Sequence, residues 1–77
     1  MLKKESYKIL IIDDEQDLTN MAKIQLELSG FSVDVAFNGT DGIKKVSEVL
    51  PDLILLDIRM PDLDGFQVLQ KLKEKEA

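Results

Sequence analysis

Apolar and polar residues change rhythm repeatedly along this chain, and each change marks an element. Ile9-Leu10-Ile11-Ile12 is a continuous apolar run, the pattern of a strand covered on both faces. After Asp13 the period lengthens. Leu18, Met21, Ala22, Ile24, Leu26 and Leu28 spread over a wide helical arc that ends at Ser29-Gly30, where Gly30 suits the position just past a helix. Asp14 or Asp17 is expected to cap the start. An arc this wide asks for more cover than one sheet face gives. Phe31, Val33, Val35 and Phe37 then alternate with Ser32, Asp34 and Ala36, which predicts a strand at a sheet edge with one side wetter. Asn38-Gly39-Thr40-Asp41-Gly42 makes a turn and opens a second helix carrying Ile43, Val46, Val49 and Leu50, which Pro51 stops. Leu53 to Leu56 predicts a third strand, again apolar throughout, followed by the turn formers Pro61-Asp62-Leu63-Asp64-Gly65. Phe66, Leu69 and Leu72 begin a third helix that fades into a charged run from Lys73.

Strand and helix alternating three times is the signature of right-handed βαβ crossovers and a parallel sheet. The fold class is therefore α/β. With 77 residues and no repeat or linker, all of it reads as one small domain or one piece of one, with an expected stability of about 3 to 5 kcal/mol.

Two runs also deliver chemistry. Asp13 and Asp14 close the first strand and Asp57 closes the third, so two buried parallel strands would bring three carboxylates to one sheet edge. In an open α/β sheet, ligands bind outside the carboxyl ends of the strands. Carboxylates that converge repel one another unless a cation lies among them. Asp14 alone would read as a helix cap, but Asp57 at the end of another strand tips the reading to a metal site. The chain has no cysteine and no histidine, which excludes disulfides and the usual zinc sets and leaves oxygen ligands for a hard cation. Asp62 and Asp64 read as turn and cap residues, and Met21 and Met60 as packing residues. Asp62-Leu63-Asp64-Gly65 fails as a calcium loop, because Met60 and Lys71 would fall at its positions 1 and 12.

Composition removes other classes. A net charge of −5 argues against this segment tracking a nucleic-acid backbone, which needs clustered Lys and Arg. The apolar runs are far too short for a membrane span, and the one that follows Lys3-Lys4 breaks at Asp13, unlike a signal peptide. A cytoplasmic location is expected. No histidine, cysteine or placed base accompanies the carboxylates, so the chain is not expected to be an enzyme.

The Asp13-Asp14 pair, Phe37-Asn38-Gly39, and the run Asp57-Ile58-Arg59-Met60-Pro61-Asp62-Leu63-Asp64-Gly65 together resemble the receiver domain of bacterial two-component response regulators. The resemblance implies a flavodoxin-like sheet of order 2-1-3-4-5. Residues 1–77 would supply its strands 1 to 3 and helices 1 to 3, a truncated (βα)3 of order 2-1-3. Its later Ser or Thr, its Lys and its last two strands and helices have no counterpart. The resemblance further implies that Asp57 accepts a phosphoryl group from a sensor histidine kinase. Mg2+ would be held by the Asp14 and Asp57 carboxylates and the Arg59 backbone carbonyl, with Asp13 reaching it through water. Without the Lys and the hydroxyl, metal binding is expected to be weak and phosphorylation slow or undetectable.

Missing neighbours leave the third strand as an apolar edge and uncover part of the first helix, so self-association is expected through that edge or the bare sheet face. One arrangement is a twofold dimer of order 2-1-3-3′-1′-2′. The alternative reading from a different class is a self-assembling scaffold or partner-binding module whose acidic pocket is vestigial.

Overall fold

The structure, a computed structural model, describes residues 6–57, 62 and 64–76. β1 (Lys8–Ile12), α1 (Gln16–Leu28), β2 (Ser32–Ala36), α2 (Gly39–Val49), β3 (Leu53–Leu56) and α3 (Gly65–Glu76) follow in order. The three strands form one parallel sheet of order β2-β1-β3, with Ile12 level with both Ala36 and Leu56. This is the flavodoxin-like (βα)3 arrangement the sequence predicts. No described helix is long and apolar enough to cross a membrane.

The central strand divides its side chains between two cores, because successive residues point to opposite faces. Leu10 and Ile12 face α2 and α3, where Ala36 and Val68 are buried with them and Ile43, Val46, Ile54, Leu56 and Leu72 pack around. Ile9 and Ile11 face α1 with Val33, and Ala22, Leu26, Phe31 and Val35 complete that cluster. Helices therefore cover both faces, giving three layers.

Four details depart from the expected pattern. α1 is capped by neither Asp14 nor Asp17: Glu15 is the N-cap residue and makes no side-chain cap bond. The side-chain bond just ahead of the helix is made by Asp13, whose Oδ1 accepts from the Glu15 N–H at 2.9 Å. Second, α1 turns the row Thr19, Ala22, Leu26 inward, with Thr19 buried and the other two half-buried, and leaves Leu18, Met21, Ile24 and Leu28 exposed. Third, α3 turns Val68 and Leu72 inward, while Phe66 and Leu69 stand exposed. Fourth, β2 lies at the sheet edge as predicted, yet Ala36 on its more polar side is fully buried under α2 and α3.

The helix ends account for these phases. α1 closes in a Schellman motif: Gly30, at φ +100°, donates to Glu27 O and Phe31 donates to Leu26 O, while Phe31 and Leu26 pack in the same cluster. α2 ends at Leu50 in the left-handed region (φ 54°), since Pro51 disfavours a right-handed helical conformation there. Asp64 starts α3 with a reciprocal capping box, accepting from the Gln67 N–H at 2.8 Å while its own N–H donates to Gln67 Oε1 at 3.0 Å.

Candidate functional site

The ladder between β1 and β3 builds the acidic site. Ile12 pairs with Leu56, and the Asp57 N–H donates to the Ile12 carbonyl at 2.9 Å. Extending that register by one residue sets Asp13 level with Asp57. On the other side the Asp13 N–H donates to the Ala36 carbonyl at 3.0 Å, so backbone bonds anchor both residues to the sheet. Asp14 follows at the start of the turn into α1.

The result is a group of three carboxylates from Asp13, Asp14 and Asp57, each offering an oxygen, all within 4.8 Å of one another. Asp13 and Asp57 are half-buried and Asp14 is exposed. The donor set is all oxygen, the chemistry of a hard cation. Around Mg2+ at about 2.1 Å, opposite ligands stand roughly 4.2 Å apart, so the spread requires little closure or one ligand reaching through water. One Asp13 oxygen, Oδ1, accepts from the Glu15 N–H. Arg59, the expected carbonyl ligand, lies outside the described residues.

Beside the carboxylates is a slot of about 340 Å³ between α1 and β3, lined by Ile11, Leu18, Thr19, Ala22, Leu55 and Leu56 as well as Asp13 and Asp57. Thr19 is buried there, and its Oγ1 has no hydrogen-bond partner among the described residues. The chain gave one hint of this: Thr19 shares a helical row with Ala22 and Leu26, between the larger apolar residues.

Asp62 reads from the sequence as a turn and cap residue, and in the structure the helix it caps is α2, far back along the chain. Its Oδ1 accepts from the Gly39 N–H at 2.9 Å, and its Oδ2 accepts from the Thr40 N–H at 2.9 Å and the Thr40 hydroxyl at 2.7 Å. Asn38 Oδ1 accepts from the Asp41 N–H at 2.7 Å, so the first three amides of α2 are all satisfied. Nothing in the sequence announces a cap supplied from 23 residues away.

Comparison with known proteins agrees with this geometry. The family model described as the response regulator receiver domain matches residues 9–77. The transcriptional regulatory protein TrcR of Mycobacterium tuberculosis is 41% identical over 70 residues, covering 91% of this chain and 27% of that protein. The alkaline phosphatase synthesis transcriptional regulatory protein PhoP of Bacillus subtilis is 39% identical over 69 residues, covering 90% and 29%. Among solved structures, a Francisella response regulator receiver domain superposes with a TM-score of 0.85 at 30% identity, covering 91% of this chain and 58% of that one. The response regulator TrrA of Thermotoga maritima, solved in complex with Mg2+ and BeF, gives 0.84 at 34% identity, covering 91% and 61%. The chain thus spans less than a third of those two curated relatives and about three-fifths of these receiver structures. With its acids, its strand order and these likenesses in agreement, the chain belongs to the receiver-domain family of two-component response regulators.

Proposed function

We propose that Asp57 is a phosphoacceptor and that the Asp14 and Asp57 carboxylates hold Mg2+ there, with Asp13 reaching it through water and the Arg59 backbone carbonyl as a further ligand. One observation carries the reading: the β1–β3 register sets Asp57 level with Asp13, and the three carboxylates offer oxygens within 4.8 Å of one another. The Mg2+ and BeF bound by TrrA support it by likeness. The donor would be a phosphohistidine of a sensor kinase. An Asp57 oxygen attacks phosphorus, the O–P bond forms as the N–P bond breaks, and the imidazole leaves with its electron pair and takes up a proton. Bound Mg2+ would offset negative charge on the transferring group. Asp57 is aimed by its backbone bond to Ile12, and Asp13 by its bonds to Ala36 and Glu15.

Residues 1–77 hold no counterpart of the family's later Lys and Ser or Thr, so phosphorylation of this chain is expected to be slow. Mass spectrometry after incubation with a small phosphodonor and Mg2+ tests it, with Asp57→Asn as the reference. A slow, Mg2+-dependent adduct on Asp57 supports the reading. Full and rapid conversion refutes the impairment, and an adduct that persists in Asp57→Asn refutes the acceptor. The curated relatives are named as transcriptional regulators, and we assign that output to parts of such proteins beyond the matched segment.

A second reading rests on one further observation: Leu18, Met21, Ile24 and Leu28 of α1 and Leu53 and Leu55 of β3 are all exposed. We infer that this chain self-associates through the β3 edge or that uncovered face. Sedimentation at micromolar concentration is expected to show a dimer, and a folded monomer throughout would count against it.

A further inference from the structure

Asp57 and Asp62 are each hydrogen-bonded to a distant part of the chain. The first tie is the Asp57 N–H donating to Ile12 O at 2.9 Å. The second is the Asp62 carboxylate, which spans the α2 N-terminus through the Gly39 and Thr40 amides and the Thr40 hydroxyl at 2.7 to 2.9 Å. α2 is itself fixed against the sheet. Gly42 sits so close to Ile12 that a Cβ there would meet its Cδ1 at 2.6 Å, and the Lys45 amine donates to Val35 O at 2.6 Å. Ile12 immediately precedes the acidic pair, so one residue touches both anchors: its carbonyl holds Asp57 and its side chain seats α2.

From this we infer that Asp62 is a positioning residue for the acidic site: its carboxylate latches the N-terminus of α2, and α2 packs on Ile12, whose carbonyl anchors Asp57. The inference rests on the metal reading above. A carboxylate suits the latch, since it presents two acceptor oxygens to adjacent amides and favours the positive end of the helix dipole. By linkage, a site whose shape depends on the latch must in turn strengthen the latch when it is filled.

The test is a Mg2+ titration followed by amide NMR, with hydrogen exchange at Gly39 and Thr40 measured with and without Mg2+. Asp62→Ala is expected to weaken Mg2+ binding about fivefold or more and to abolish the Mg2+-dependent slowing of those two amides. Thr40→Val keeps every charge and removes one latch bond, so a smaller weakening in the same direction is expected. Asp41→Asn removes a nearby charge and keeps the latch, and should leave the Asp62-dependent loss intact. Asn38→Ala weakens the same helix end from the other side; it should lower the melting temperature without changing Mg2+ affinity. If Asp62→Ala and Thr40→Val bind Mg2+ as the parent does, or if Asn38→Ala weakens it equally, Asp62 is only a structural cap and the inference is overturned. A parent chain that does not titrate with Mg2+ removes the metal reading and this inference together.

Discussion

The two faces of the sheet are built from the same central strand and finished differently. On the α2–α3 face, Leu10, Ile12, Ala36 and Val68 are sealed, and even β3 is half covered through Ile54 and Leu56. On the α1 face, burial stops at β1 and β2: Leu53 and Leu55 of β3 are 50% and 41% exposed, beside an α1 whose Leu18 and Met21 are exposed. The helix starts follow the same division. α2 has its first three amides satisfied by Asp62 and Asn38, and α3 has a capping box, whereas α1 begins without a side-chain cap. One face is closed, and the other buries Ile9, Ile11 and Val33 but leaves apolar surface of α1 and β3 exposed.

The largest effect should come from the closed face. Leu10→Ala removes a fully buried side chain and is expected to cost about 2 to 5 kcal/mol, which is comparable to the whole stability expected at this size. Leu55→Ala, level with Ile11 on the exposed side, should cost only about 1 kcal/mol, since much of its surface is already wet. Urea unfolding of the two variants measures the contrast. Equal losses would show that the faces share the load.

Gly42→Ala sharpens the same point by filling instead of emptying. A methyl there would lie 2.6 Å from Ile12 Cδ1 and 2.9 Å from its Cγ2, and Ile12 is fully enclosed and cannot step aside. Overpacking costs about 1 to 3 kcal/mol, while replacing a helical glycine returns about 1 kcal/mol. A net loss of about 1 kcal/mol is expected, read as a lower melting temperature. A gain would mean α2 can lift from the sheet freely.

These contrasts explain what could be read from residue order. β1 and β3 were plain because runs of four apolar residues leave no other phase, and the acids that end them fall level once the order β2-β1-β3 is known. α1 was harder. Its large apolar residues form a row at 18, 21 and 28, while the row that faces the sheet is Thr19, Ala22, Leu26, chosen by the Schellman closure at Phe31 and the short turn at Asp13. In α3 the capping box sets the phase that buries Val68, which hydrophobicity alone ranks below Phe66 and Leu69. The Asp62 latch joins residues 23 apart through hydrogen bonds, and no periodicity encodes that.

Helix starts give a smaller pair of effects with opposite signs. Asn38→Ala strips the Asp41 amide of its acceptor and should cost about 1 kcal/mol. Glu15→Ser gives α1 the cap it lacks and should return about 0.5 kcal/mol. Thermal melts of both decide whether the two starts differ as the bonds imply.

The smallest effect is expected on the outer row of α1, and it separates folding from assembly. Leu18→Gln, Met21→Gln and Leu28→Gln each change a residue at least 62% exposed, so in dilute solution each should shift stability by no more than about 0.5 kcal/mol. Their effect on association should be far larger. An apolar row that meets another surface loses its driving force when amides must be desolvated to enter it. Melting temperature and sedimentation, measured on the same samples over a range of concentrations, separate the two quantities. If the row is the docking surface, the variants keep the dilute melting point and lose the concentration-dependent dimer. If they keep the dimer, association runs through the β3 edge, where backbone N–H and C=O groups do the pairing and glutamine on α1 is a bystander.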